Sequence, residues 1–393
     1  MELIFWLLLL TVAWCYGGYP LFVAARARLH PRPLKRPARP IRPSVSVVLA
    51  VRNERSTLER RVANLFAQDY PADRLGVVIA CNGSQDGTEE LARELAAREP
   101  RISVVQSPAE RGKAGAINLA VEAATGDVVV FADARQTFAP DAVARLVEPF
   151  GDPGVGAVTG ALLVERADHA SVEGVRMYWG LEMRLRDAES RSGSVVGATG
   201  AIYAIRRFLF EPVPANLILD DVYVPLRIAM RGNRVVMSTD AIAYDVPASD
   251  QKLEYARKRR TMVGNIQLVR EVPDLLSPVH NPLFLRFFSH KVLRLLTPFC
   301  FVALLLVSAA IAEPLYLAFF TAELAVYVLG IVGLTVSVPA LSVPSAFVLL
   351  HAAVFAAAWR WRDDASRVWV HGTPVRLEPV PVARLSRAAD SVV

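Results

Sequence analysis

Residues 128–138 read VVVFADARQTF. An apolar run ends on Asp133, and Arg135 follows two positions later. A buried strand that stops on a carboxylate fits a surface turn, and it fits a site that holds a cation and a phosphate. The flanking sequence bears on the choice. VSVVLAV (45–51), LGVVIAC (75–81) and RISVVQS (101–107) have the same apolar, β-branched character. Between these runs lie helical patterns, with Leu58, Val62 and Leu65 spaced four and three apart, then TEELARELAARE (88–99) and RGKAGAINLAVEAA (111–124). Four alternations of strand and helix predict an α/β domain whose parallel sheet is covered on both faces. Ligands of such sheets lie beyond the carboxyl ends of the strands. Asn53, Asn82 and Asp133 all fall there, so one crevice can hold all three.

The second half is less regular. Residues 156–165 and 233–245 read as strands, and a helix between them bears Tyr178, Trp179 and Glu182. SVVGATGAIYAIRR (194–207) mixes small residues with a strand pattern. LILDDVYVPLRIAMRG (217–232) passes from an apolar segment through Asp220 and Asp221 into a helix, and EYARKRRTMVGNIQL (254–268) is a basic helix.

The 393 residues are 53% hydrophobic, with mean hydropathy +0.33. The excess is concentrated at the two ends. Residues 3–25 carry no charge, and 293–359 carry only Arg294, Glu313 and Glu323. These lengths predict one uncleaved N-terminal anchor and about three further spans. Residues 26–42 hold seven Arg/Lys and no acid, which marks the cytoplasmic side of a span. The net charge of +6 comes largely from such flanks, so anionic lipid headgroups account for it better than nucleic acid does. One topological conflict follows. One anchor plus three spans puts the tail outside, yet RWRDDASR (360–367) is basic enough to prefer the cytoplasm. Cys15, Cys81 and Cys300 are far apart and give neither a disulfide framework nor zinc spacing.

Single residues keep two readings. Asp86 in NGSQDGT caps a helix or faces a nucleotide. RGKAG contains Gly-Lys but lacks the preceding spaced glycine and the following Ser/Thr of a Walker loop. Asp133 can be a Mg²⁺ or Mn²⁺ ligand that shares its ion with a diphosphate, or a strand-end acid paired with Arg135. Asp220 and Asp221 can cap a helix, or one can act as general base. Arg257, Lys258, Arg259 and Arg260 can meet a diphosphate or a lipid surface.

Taken in order, VSVVLAVRNE, VVIACNGSQDGT, RGKAGAIN, VVVFADARQ, GATGAIYAIRR, LDDV and YARKRRTMVGN resemble the motif series of the membrane-anchored family 2 glycosyltransferases, over roughly residues 44–300. The resemblance implies a GT-A fold with a nucleotide-binding half and an acceptor half. It implies Asn82 and Asp86 beside the base, Asp133 as metal ligand, Asp221 as catalytic base, and Lys258 and Arg260 on the donor diphosphate. Asn53, Lys113 and Arg135 join the donor side. Asp220, Tyr178, Trp179 and Glu182 join the acceptor side. The expected partners are a nucleotide sugar, a glycan or lipid-linked acceptor, membrane lipids, and export or assembly proteins. The expected cofactor is a divalent metal, Mg or Mn. Three departures from the pattern matter: Asn82 stands for an Asp, Arg135 stands for the second metal carboxylate, and the pair Arg257 and Thr261 stands for the Gln and Trp of polymer-extending synthases. The expected organisation is an anchor at 1–26, a basic proline-rich linker at 27–43, a cytoplasmic catalytic domain at 44–285, an interfacial segment with three spans at 286–360, and a polar tail at 361–393, all at a bacterial inner membrane. Two other readings remain: a polyprenyl-phosphate sugar synthase, whose acceptor phosphate needs no base, and a non-catalytic nucleotide-sugar or partner-binding membrane protein.

Overall fold

The computed structural model describes residues 1–35, 40–164, 170–215, 217–245, 251–336 and 338–359, side chains at 110, 164, 170–178, 251–254 and 339 excepted. The polar tail, and with it the side of the membrane that the tail occupies, lies outside the described residues. Helices α1 (Glu2–Ala13) and α2 (Tyr19–Leu29) are joined by a π-helical turn into one 28-residue rod. The alternating unit follows: β1 (Val45–Val51), α3 (Arg55–Phe66), β2 (Leu75–Asn82), α4 (Thr88–Arg98), β3 (Ile102–Ser107), α5 (Gly112–Ala123) and β4 (Val128–Ala132). Then come β5 (Thr137–Phe138), α6 (Ala142–Val147), β6 (Val155–Val164), α7 (Ala170–Arg191), β7 (Ile202–Arg206), α8 (Asp220–Met230), β8 (Arg234–Asp245) and α9 (Gln251–Glu271). The described residues end in α10 (Phe284–Phe287), α11 (Leu293–Ile311), α12 (Pro314–Thr335) and α13 (Ser342–Trp359).

The eight strands form one sheet in the order β3-β2-β1-β4-β7-β6-β8-β5. Strands β3, β2, β1 and β4 are parallel, with Val47 opposite Val77 on one side and Val130 on the other. Side chains alternate across a strand, so β1 serves two cores. Val47 and Leu49 pack with Leu58, Val62 and Leu65 of α3, while Val48 packs with Ala116, Ile117 and Ala120 of α5. The purely parallel expectation holds for this half alone. Beyond β4 the sheet continues through β7, antiparallel to both β4 and β6, and then β8, parallel to β6. Of the stretch 194–207, only Ile202–Arg206 is strand. The small residues before it form a turn, and the two acids of LDDV open α8.

Among the described residues four helices are long and apolar enough to cross a membrane: Glu2–Leu29, Phe284–Ile311, Pro314–Thr335 and Ser342–Trp359. Large apolar side chains such as Leu3, Leu10, Leu306, Leu329 and Ile331 are exposed on them, as suits helices solvated by lipid. The last helix differs from its neighbours. α13 packs along both α12 and α9, and the 3-10 turn before it (Pro339–Leu341) touches α7. Near its other end, Ala357 is fully buried in the apolar cluster that also holds α5, α8 and α9.

Candidate active site

The loops after β1 and β2 are latched together. Asn53 takes a left-handed conformation, φ +56°. Its Oδ1 accepts the Gln85 N–H at 2.8 Å, and its own N–H donates to Ser84 Oγ at 3.1 Å. Asp86 accepts the Arg55 N–H (3.1 Å), the Thr88 N–H (3.0 Å) and the Thr88 hydroxyl. Burial works against ionisation there, but these hydrogen bonds outweigh it and hold Asp86 below the usual carboxylate range. Asp86 thus braces the turn that enters α4 through Gly87, and with Asn53 it shapes a pair of strand-end turns. Asn82 lies beneath them, 2% exposed. Its Oδ1 has no hydrogen-bond partner among the described residues.

At the end of β4, three elements meet. Lys113, in the first turn of α5, places Nζ 3.3 Å from Asp133 Oδ1 and 3.4 Å from Asp220 Oδ1. Burial opposes its charge, yet the two carboxylates prevail and raise its pKa. Asp220 is buried, and Asp221 beside it is only partly so. Both acids stand in the first turn of α8, where the helix dipole favours negative charge. The 198–200 turn grips Asp221 twice: Ala198 N–H donates to its carbonyl (2.7 Å), and Gly200 N–H donates to its Oδ2 (3.0 Å). Burial, then the Asp220 carboxylate, push Asp221 up to about 6, against the pull of Lys113, Lys291 and Arg186. Lys113, Asp133, Gly200, Asp220 and Phe131 line one small open cleft. Under it Tyr203 stacks on Phe131, with ring centroids 4.4 Å apart. Burial, then the Asp220 charge, push the Tyr203 phenol well above its usual range.

Arg135 settles which partner it takes. Its Nη2 donates to Asp245 Oδ2 at 2.7 Å, and Gln136 Nε2 donates to the same oxygen at 3.2 Å. Among the basic residues of α9, Arg260 lies near enough to Lys113 for the two charges to oppose each other. Lys258 is half-buried two positions earlier. The acceptor-side expectations divide. Asp220 is in the cleft, Trp179 is half-buried on α7, and the side chain of Tyr178 lies outside the described residues. Glu182 is not an open surface for a ligand. It is 5% exposed and held by Arg186 (2.9 Å), Arg294 (2.7 Å) and His290 (3.0 Å), because a buried carboxylate needs such partners. Reading the sequence missed Gly200 and Arg186, which no spacing rule marks. It also missed Asp245, whose place at the end of an apolar strand copies that of Asp133.

Among the described residues no three His, Cys, Asp or Glu side chains are grouped to hold a metal ion. Asp133, with 40% of its side chain exposed at the cleft, fits a divalent cation that takes one carboxylate here and its remaining oxygens from a bound diphosphate and water.

Residues 46–213 match the family model described as glycosyl transferase family 2. The chain is 30% identical over 260 residues to an N-acetylglucosaminyltransferase of Rhizobium meliloti (strain 1021), covering 58% of this chain and 60% of that protein. It is 25% identical over 263 residues to the poly-beta-1,6-N-acetyl-D-glucosamine synthase of Staphylococcus aureus (strain COL), covering 63% and 61%. The chain thus spans about three fifths of the length of these curated relatives. Its fold is similar to that of the mannosyltransferase PcManGT from Pyrobaculum calidifontis, solved in complex with GDP-Man and Mn2+. The TM-score is 0.67 at 26% identity, over 91% of this chain and 98% of that one.

Proposed function

We propose, from the premise that this chain carries a family 2 glycosyl transferase domain on a GT-A fold, that it is an inverting glycosyltransferase. It moves a sugar from a nucleotide-sugar donor to a hydroxyl of a lipid-linked or surface-glycan acceptor at a membrane face. One observation carries the reading: Lys113, Asp133, Gly200 and Asp220 line a single cleft at the carboxyl ends of the parallel strands, and the Gly200 N–H holds the Asp221 carboxylate at its edge. That arrangement suits a leaving diphosphate on one side and a base on the other.

In this mechanism the loops bearing Asn53, Asn82 and Asp86 hold the nucleoside. Lys113 and Arg260 face the diphosphate, with Lys258 in support on the same helix. Asp221 takes the proton of the acceptor hydroxyl. That oxygen bonds to the anomeric carbon, and the bond to the diphosphate breaks with its electron pair leaving on phosphate oxygen. With its pKa near 6, Asp221 is ionised at neutral pH and still basic enough to accept the proton. A divalent metal bound at Asp133 would neutralise the departing diphosphate. Arg135 is committed to Asp245, so it orders the β4 end and is not a phosphate ligand. Glu182 serves the architecture behind the base rather than the acceptor.

The relatives support a hexose or N-acetylhexosamine as the sugar. The basic stretch 26–42 supports a cytoplasmic position for the catalytic domain, with the apolar helices in a bacterial inner membrane. The test is a thermal-shift screen of nucleotide sugars, including GDP-mannose, with Mn²⁺ or with EDTA, followed by a transfer assay on the best binder. A donor that stabilises the fold and loses its sugar to a membrane acceptor supports the reading. No stabilisation by any nucleotide sugar, with and without metal, contradicts it.

A further inference from the structure

Behind the catalytic pair, on the membrane side of the domain, lies a buried ion cluster that the mechanism above does not use. Arg186, 8% exposed on α7, directs its two donor edges differently. Nε donates to Glu182 Oε1 at 2.9 Å, and Nη1 donates to Thr199 Oγ1 at 2.9 Å. Thr199 sits between Ala198 and Gly200, the two residues whose N–H groups hold Asp221. A second hydrogen bond, from Thr199 N–H to Thr159 Oγ1 (2.9 Å), ties this turn to β6.

Glu182 is fixed in turn. His290 lies between two buried glutamates, with Nε2 3.0 Å from Glu182 Oε1 and Nδ1 2.9 Å from Glu189 Oε1. Both ring nitrogens thus face carboxylate oxygens, and the ring ties the two glutamates of α7 to the helix that carries it. The Tyr19 hydroxyl, on the first apolar helix, donates to Glu189. Arg294 donates to Glu182 Oε2 (2.7 Å), and Arg286 donates to the main-chain oxygens of Glu189, Ser192 and Ser194 at the end of α7. Burial would raise the Glu182 pKa, but His290, Arg294 and Arg186 hold it well below the usual range.

We propose that Arg186 is a positioning residue for the base. Clamped by Glu182, it fixes the Thr199 turn, and that turn aims the Asp221 carboxylate. The clamp is closed by residues of the two helices that approach the membrane, Tyr19 from one and His290 and Arg294 from the other. The aim of the base therefore depends on how those helices seat on α7. This rests on Asp221 being the base. Around Asp221 the charged and titratable groups are Asp220 on its own helix, Lys113 on α5, Arg186 on α7, Lys291 at the start of the α11 rod and Tyr203 on β7. Removing the Arg186 cation leaves the carboxylate harder to ionise, while removing only the Thr199 hydroxyl leaves that charge in place.

The experiment compares Arg186→Met, Arg186→Lys and Thr199→Val in the full chain, reconstituted in lipid, with Asp221→Asn as reference. Both Arg186→Met and Thr199→Val are expected to lower kcat about 10- to 100-fold, the scale of a misaimed catalytic group, with donor KM within about twofold. Arg186→Met shifts the acid limb of the kcat–pH profile to higher pH, Thr199→Val does not, and Arg186→Lys recovers part of kcat. Thr199→Val deletes one hydroxyl, so it decides the matter if Arg186→Met does not fold. Unchanged kcat in Thr199→Val overturns the proposal, as does a loss confined to KM. Full activity in Asp221→Asn would instead remove the reading of the base on which it rests.

Discussion

The Gly200 N–H donates to Asp221 Oδ2 at 3.0 Å, and a Cβ placed on Gly200 would stand 2.9 Å from that same oxygen. The residue that grips the carboxylate has no room for a side chain. Gly200→Ala must push Asp221 aside or break the hydrogen bond. The expected result is a kcat lowered about 10- to 100-fold with donor affinity retained, read by steady-state kinetics beside donor titration. Equal kcat in the two proteins would mean that Asp221 is not aimed by this contact.

Asp221 gives a dependence on pH with a definite sign. Its pKa in the folded chain is about 6, above the ordinary 3.8. A carboxyl group raised in this way costs stability once it ionises. The cost begins as pH rises through the unfolded value and is complete above the folded one, at about 3 kcal/mol. Asp221→Asn should therefore unfold at a higher temperature than the native chain at pH 8, with the gap shrinking towards pH 4. Turnover of the native enzyme should fall on the acid side with a midpoint near 6. Thermal melts of both proteins across this range check the first expectation, and kcat over the same buffers checks the second.

Lys113 lies between Asp133 and Asp220, so its loss is felt on both sides of the cleft. Lys113→Met leaves the buried Asp220 carboxylate without its cation, and a destabilisation of about 1–3 kcal/mol is expected, together with weaker donor binding. Adding Asp220→Asn removes the stranded charge and should recover part of the stability. A double-mutant cycle on melting temperature measures this coupling. Strict additivity would show that the two groups do not interact.

The seating of α13 bears on topology. Its preceding turn touches α7, and its last turn, at Ala357, is buried in the apolar cluster of the α/β domain. A helix crossing the bilayer would leave one end far from that domain. With three crossings and α13 lying along the membrane face, the sequence after Trp359 is expected on the same side as the α/β domain, which also suits its basic residues at 360–367. A C-terminal tag is expected to be digested by protease in inside-out vesicles and protected in right-side-out ones. The opposite pattern would make α13 a fourth crossing.

How much of this was legible beforehand depended on the range of the interactions. The β1–β4 half could be read because alternation of side chains and helical spacing are local signals, and Val47, Val48, Leu58 and Ile117 all stand where those periods put them. Asp133, Asp220 and Lys113 were picked out as chemistry-bearing types near element ends, and the sheet brings them together. The Arg135–Asp245 pair spans 110 positions, and no spacing rule reaches that far. The family resemblance puts Glu182 on the acceptor side, and nothing local in the sequence shows otherwise. Its surroundings come from His290 and Arg294, which lie more than 100 positions away and meet α7 only through the packing of an apolar helix. Gly200 looks like any small residue of a loose turn until Asp221 is placed against it.

The most direct measurement is transfer by the native chain and by Asp221→Asn, each saturated with the same nucleotide sugar in the same lipid, with donor binding measured in parallel. The expected result is equal donor affinity and a rate of sugar transfer lower by about two to four orders of magnitude in the variant. Undiminished transfer by Asp221→Asn would contradict the assignment of the base and, with it, the catalytic role given to this cleft.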